Sequence, residues 1–142
     1  MLHLWTIKNI SIMKSKLESL SPNLIADSVN GSVDFYTKYL GFNLVMSVPE
    51  TGTYDWAMIQ RDGVTLMFQS LKSLKQDMPS LKLDKKGSLG TFFIKMKGIE
   101  DLYKSLKGKV DIALEWRETF YGMKEFGVKD PDGYYMVFAE DK

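Results

Sequence analysis

The feature that most restricts how this chain can fold is an order of short elements that runs along it twice. Leu24, Ile25 and Ala26 form an apolar run after Pro22 and read as a strand. Ser28, or Asn30 just after it, is placed to cap a helix. Val33, Phe35, Tyr36, Tyr39 and Leu40 recur at helical spacing, and Gly41 ends the run as a C-cap. Strands follow at Phe42–Val48, Tyr54–Arg61 and Val64–Gln69, separated by turn residues 49–52 and by Asp62-Gly63. Thr91–Lys97 then starts the series again as a strand. Ile99, Leu102, Tyr103 and Leu106 mark a helix that ends near Gly108. Val110–Trp116, Met123–Lys129 and Tyr134–Ala139 read as strands, the last two joined by the turn Asp130-Pro131-Asp132-Gly133. Between the halves, Ser70–Gly90 is a polar linker with five lysines (Lys72, Lys75, Lys82, Lys85 and Lys86) and room for one short helix.

The pattern is βαβββ, linker, βαβββ, an internal repeat carried by element order rather than by identity. It predicts an α+β fold of paired βαβββ modules, 21–69 and 91–139, within a single domain 21–140. One face of each sheet packs on its helix and the other stays free. Side by side, the modules would form a curved mixed sheet around a shared cavity. Strand alternation separates the faces. Leu66, Phe68, Phe92, Ile94, Met96, Phe126, Val128, Met136 and Phe138 form the helix-facing set. Asn23, Ile25, Trp56, Met58, Gln60, Thr65, Met67, Gln69, Phe93, Lys95, Met123, Glu125, Tyr135, Val137 and Ala139 form the cavity-facing set. Aromatics and methionines with a few polar groups among them suit a small-molecule pocket.

Composition removes several classes of chemistry. At 142 residues, 44% hydrophobic and 26% charged, the chain suits one folded domain. A net charge of +1 gives no bulk attraction to nucleic acid or to an anionic membrane. There are no cysteines, which excludes disulfides, thiolate nucleophiles and cysteine-bound metal. The single histidine, His3, lies near the N-terminus, so no triad histidine is available inside the fold. No apolar run is long enough to span a bilayer. Residues 1–20 read as an N-terminal extension; its first twelve residues lack a signal-peptide pattern, and Met13 would serve as an alternative start. A cytoplasmic location is expected.

Two strings carry a resemblance. Ser32-Val33-Asp34-Phe35-Tyr36 with Tyr39-Leu40-Gly41-Phe42, and Tyr121-Gly122-Met123-Lys124-Glu125-Phe126 with Asp130-Pro131-Asp132-Gly133-Tyr134, resemble signatures of the vicinal oxygen chelate proteins. Tyr54-Asp55-Trp56-Ala57-Met58 before Asp62-Gly63 fits as well. This superfamily contains glyoxalases, extradiol dioxygenases, fosfomycin-modifying enzymes and bleomycin-resistance proteins. The resemblance implies paired βαβββ modules, and in metal-dependent members His, Gln or Glu ligands at up to four inward positions. Those positions fall here on Ser21, Met67, Thr91 and Val137, and Val137 is flanked by Met136 and Phe138. None of the four suits a divalent ion. In this respect the chain is similar to metal-free bleomycin-resistance proteins, which sequester a drug in a crevice between two subunits. The resemblance therefore implies a homodimer with no metal and no cofactor.

Candidate ligand-binding residues are Trp56, Met58, Met67, Gln69, Phe93, Tyr121, Met123, Glu125 and Tyr135. Each is also a plausible packing residue. Glu125 is the one candidate catalytic group: a general base, a partner for a cationic ligand, or an ion-pair partner of Lys95. Glu140 falls on the other parity and reads as solvated. The leading expectation is a metal-free protein that binds a flat hydrophobic or cationic small molecule. The alternative is a glyoxalase-like or other vicinal oxygen chelate enzyme (lyase, isomerase or dioxygenase) acting on a small organic substrate. A third is a purely structural or regulatory partner domain, with no enclosed cavity and a flat, apolar dimer face. No nucleic-acid or membrane partner is expected.

Overall fold

The structure is a computed structural model that describes residues 15, 18–81 and 91–142. His3, Met13, Lys82, Lys85, Lys86 and most of the expected N-terminal extension lie outside the described residues. The first module comprises β1 (Asn23–Ile25), α1 (Val29–Leu40), β2 (Asn43–Val48), β3 (Trp56–Arg61) and β4 (Val64–Gln69). A short helix, α2 (Leu71–Asp77), opens the linker. The second module comprises β5 (Thr91–Lys95), α3 (Ile99–Leu106), β6 (Asp111–Glu118), β7 (Met123–Lys129) and β8 (Tyr135–Asp141).

Helix α1 shows how local sequence sets the elements. Ser28 is extended and its Oγ accepts the Gly31 N–H at 2.9 Å, satisfying one free donor of the first turn. Asn30, the other candidate cap, instead ties the helix to the β2–β3 loop. Its Nδ2 donates to Gly52 O at 2.9 Å and its Oδ1 accepts the Tyr54 N–H at 2.8 Å. Gly41 adopts φ 69°, a left-handed conformation that favours glycine, and the chain turns into β2. Val29, Ser32, Val33, Tyr36 and Leu40 fall on one stripe and are buried. Helix α3 has Gly98 at its N-cap with no side-chain cap of its own. Glu140 supplies it: Oε1 accepts the Ile99 N–H at 3.0 Å, so this carboxylate is a cap rather than a solvated group.

Each module makes its own four-stranded sheet, in the orders β1-β4-β3-β2 and β5-β8-β7-β6. The expected paired βαβββ modules are present, each with a mixed sheet of its own, and among the described residues no ladder joins the two sheets. The helix-facing sides unite them. Leu66, Phe68, Phe126, Val128, Met136 and Phe138 belong to one buried cluster with Tyr36, Leu40, Ile99 and Leu106 from the helices, and Phe92, Ile94 and Met96 pack against it.

The turn 130–134 joins the modules with buried polar groups. Asp132 accepts the Asp27 N–H (3.0 Å) and the Ser32 hydroxyl (3.0 Å). Asp130 accepts the Tyr36 hydroxyl at 2.9 Å, and Tyr134 donates to Ile25 O at 3.0 Å. Asp130 Oδ1 also accepts the N–H groups of Asp132 and Tyr134, each at 2.9 Å, which fixes the turn itself.

Burial raises the Asp130 carboxyl above its ordinary value, against the hydrogen bonds from Tyr134, Tyr36 and Asp132. Burial, followed by the neighbouring Asp130, holds the Tyr36 phenol well above its ordinary value. A raised carboxyl means the folded chain holds the proton more tightly than the unfolded chain. That contribution is complete below the ordinary carboxylate range and is lost as pH rises through the folded value. Urea denaturation of the parent chain and of Asp130→Asn from about pH 3 to about pH 7 checks the sign. The stability of the parent chain relative to the Asn variant should fall as pH rises. Tyr36→Phe should cost about 1–2 kcal/mol near neutrality by removing a buried donor.

Candidate functional site

The sheet faces turned away from the helices are the candidate site. In the first module, register places Asn23, Met67, Met58 and Met46 in one row, and Ile25, Gln69, Trp56 and Val48 in the next. Gln69 is buried, and its Oε1 accepts Asn23 Nδ2 at 2.8 Å. Its Nε2 donates to the Ser73 hydroxyl of α2 at 2.9 Å. This relay of amides connects β1, β4 and α2 beside a cavity of about 560 Å³, which Trp56, Gln76, Asp55 and Asp77 also line. Asn23 Oδ1 is buried and has no hydrogen-bond donor among the described residues, an acceptor of the kind a bound ligand can satisfy. Helix α2 lies in the stretch read as linker, so sequence patterning on the strands did not find its contribution.

In the second module, Phe93, Val137, Gly127 and Leu114 form one row and Lys95, Ala139, Glu125 and Arg117 the next. Phe93 is 56% exposed and Val137 is buried beside it. A Cβ at Gly127 would lie 3.1 Å from Leu114 Cβ, so glycine is what lets β6 pack this closely.

Glu125 is only 1% exposed and is held on both oxygens. Oε1 accepts from Arg117 Nε (3.0 Å) and Nη2 (2.9 Å), and Oε2 accepts the Tyr121 hydroxyl at 2.7 Å. The bond to Glu125 is the largest cause of the upward shift of the Tyr121 phenol, with burial next. Tyr121 therefore keeps its phenolic proton and donates it to Glu125, whose two oxygens sit between a guanidinium and a phenol. The expected pairing of Glu125 with Lys95 is corrected. Lys95 Nζ lies 3.0 Å from Asp141 Oδ2, and Arg117 is the partner of Glu125. Arg117 was missed because the predicted strand ended at Trp116, whereas β6 continues to Glu118 with register shifts between Ile112 and Leu114 and between Leu114 and Arg117. Such bulges change parity, so alternation counted from Val110 misassigns the residues beyond them.

The candidate residues thus divide between two faces. Trp56, Met58, Met67 and Gln69 lie on the first. Phe93, Tyr135, Glu125 and, buried at the strand end, Met123 lie on the second, with Tyr121 reaching over from the β6–β7 hairpin.

The four inward positions are related by register. Met67 pairs with Asn23, two residues after Ser21; Val137 pairs with Phe93, two residues after Thr91. They are equivalent places in the two modules. They offer a thioether, no donor at all, and two hydroxyls, which does not fit a divalent ion. Among the described residues, no three His, Cys, Asp or Glu side chains come together as a group able to hold one. No helix among them is long and apolar enough to cross a membrane.

Two βαβββ modules presenting open sheet faces define an α+β class built from a duplicated unit. The chain belongs to the Glyoxalase/Bleomycin resistance protein/Dioxygenase superfamily, whose sequence model matches residues 18–138. TioX from Micromonospora sp. ML1 superposes with a TM-score of 0.72 at 17% identity, over 89% of this chain and 100% of that one. A glyoxalase/bleomycin resistance protein/dioxygenase from Nocardioides gives 0.72 at 16%, over 97% and 93%. A lactoylglutathione lyase from Agrobacterium tumefaciens gives 0.68 at 12%, over 89% and 95%. Likeness at such identities defines the fold. None of the curated proteins matches the chain by sequence.

The Arg117–Glu125 pair predicts an order of effects. Arg117→Ala leaves a buried carboxyl group without its cation and should be the more destabilising of the two changes. Glu125→Gln leaves a half-exposed guanidinium that water can solvate, and should cost about 1–2 kcal/mol. Urea midpoints of the two variants and of their combination measure this. If Glu125→Gln proved the more damaging, the carboxylate would not depend on Arg117.

Proposed function

We propose that this chain binds a small organic molecule against its open sheet faces without a divalent ion, and that two copies of the chain close the site. The observation that carries this reading is the donor set. Ser21, Met67, Thr91 and Val137 stand at equivalent inward places and cannot grip a cation, while the faces around them keep groups suited to an organic ligand. Trp56 offers a flat surface for stacking. Met58 and Met67 adapt to an irregular outline. The buried Asn23 Oδ1 adds an acceptor for a donor-bearing ligand, and Asp55 and Asp77 at the cavity wall, which have no ion-pair partner among the described residues, favour a positively charged one.

The homodimer is supported by what is left uncovered. Strand β2 is a sheet edge, and Leu44, Val45, Met46 and Val48 on it are exposed. Phe120, at the β6–β7 hairpin, is fully exposed. An apolar edge strand invites pairing or cover from another chain. A second copy brings both surfaces to the mouths of the sheet faces.

Two experiments test the proposal. EDTA-treated protein is titrated with bleomycin-type and other flat cationic compounds while Trp fluorescence is followed. Binding should be unchanged by added Ni²⁺ or Zn²⁺ and about tenfold weaker in Trp56→Ala, the scale of a lost stacking contact. Binding that appears only with metal would overturn it. For the dimer, light scattering should report twice the chain mass for the parent protein and the single chain mass for Val45→Lys/Met46→Lys.

A further inference from the structure

The two modules are related closely enough in register to be compared residue by residue, and one comparison exposes a difference in how they meet. Asn23 pairs with Met67 as Phe93 pairs with Val137. One step beyond the strands, Ala26 N donates to Gln69 O at 3.0 Å and Met96 N to Ala139 O at 2.8 Å. Asp27 in the first module therefore corresponds to Lys97 in the second. The Asp27 N–H is received by Asp132, from the long turn of the opposite module, at 3.0 Å. The Lys97 N–H has no acceptor among the described residues.

The cause lies in the facing turn. In the second module the turn 130–134 inserts two carboxylates against β1 and α1. Its counterpart in the first module is the two-residue hairpin Asp62-Gly63, whose acidic side chain is 88% exposed and lies 3.5 Å from Arg61 Nε. Among the described residues, no hydrogen bond runs from this hairpin to the second module. The place that Asp130 and Asp132 fill on one side is left open on the other as a cleft of about 520 Å³. That volume lies within the roughly 300–1,000 Å³ of small-molecule sites.

The cleft has a polar end and an apolar bed. Leu40, Phe42, Val64, Ile94, Met96 and Phe138 form the bed. Arg61, Lys95 and Lys97 line it with one acid, Asp62. Lys95 is taken by Asp141, whereas Lys97 has no ion-pair partner among the described residues. Arg61 uses Nη1 on Leu40 O at 2.9 Å, which leaves guanidinium donors over.

We propose that this inter-module cleft is a second binding site, separate from the open sheet faces, for a small apolar carboxylate. The ligand's carboxylate accepts the Lys97 N–H, as Asp132 accepts that of Asp27, between the Lys97 ammonium and Arg61. Its hydrocarbon body lies along the bed. The bound anion supplies from outside the cross-module contact that the short hairpin lacks.

The test uses decanoate below its micellar concentration, with decanol and methyl decanoate as uncharged counterparts, on the full chain. Amide and methyl NMR spectra should shift at Lys97, Ile94, Met96 and Val64 with decanoate. Calorimetry should show about tenfold weaker binding for each of the variants Lys97→Ala and Arg61→Ala, the scale of a lost charge-assisted hydrogen bond. The uncharged compounds should bind at least about tenfold more weakly than decanoate. Equal binding of decanol, shifts at Trp56 and Phe93 instead of Lys97, or no binding up to the solubility limit would each overturn the proposal. Loss of decanoate binding in Lys97→Ala or Arg61→Ala leaves the reading of the sheet faces untouched, because that metal-independent site is read separately by Trp56.

Discussion

The fold depends on a pair of buried aspartates. Each module has one principal helix on one sheet, which is too little apolar surface to stand alone. The two become one domain only when their helix-facing sides merge into a common core. Apolar contact is non-directional and would permit many arrangements. Asp130 and Asp132 remove that freedom, because a buried carboxylate tolerates few positions in which its oxygens are satisfied. Ser32, Tyr36, the Asp27 N–H and the backbone of the turn meet those requirements together. The directions of both open sheet faces follow from this contact.

Much of the architecture was legible in the sequence. Helical spacing from Val33 to Leu40, Gly41 as a stop, and Asp62-Gly63 between two alternating runs each expressed a local rule that the packing did not override. The helix-facing set was legible for the same reason, since period-2 alternation is a property of the strand itself. The role of Asp130-Pro131-Asp132-Gly133 was not. Its composition announces a turn, but nothing local says that the turn will be buried against a helix about a hundred residues earlier. Arg117 was hidden by the bulges in β6, and Glu140 by the assumption that a charge at a strand end faces water.

The open faces share a register and differ in chemistry. Register makes Trp56 of the first module the counterpart of Glu125 in the second, and Gln69 the counterpart of Ala139. One face thus carries an indole beside an amide relay, and the other a buried ion pair beside an apolar row. A symmetric metal site needs matching ligands on both halves, and these halves no longer match in chemistry. What they retain is a shared position, with an aromatic wall on one side and a fixed charge pair on the other.

The same divergence reaches the contact between modules. An exact twofold repeat would place an aspartate turn on both sides. Here one turn carries two carboxylates and buries them, and the other is a short hairpin whose single acid points to water. The backbone N–H groups that would receive the missing turn do not change with the side chains, because the strand and helix that present them are common to both modules. A repeated fold therefore presents the same backbone donors on both sides even where the residues that meet them stand on one side only. Where such a demand lies beside an apolar cleft and two cations, it acts as a recognition element for an anion of matching shape.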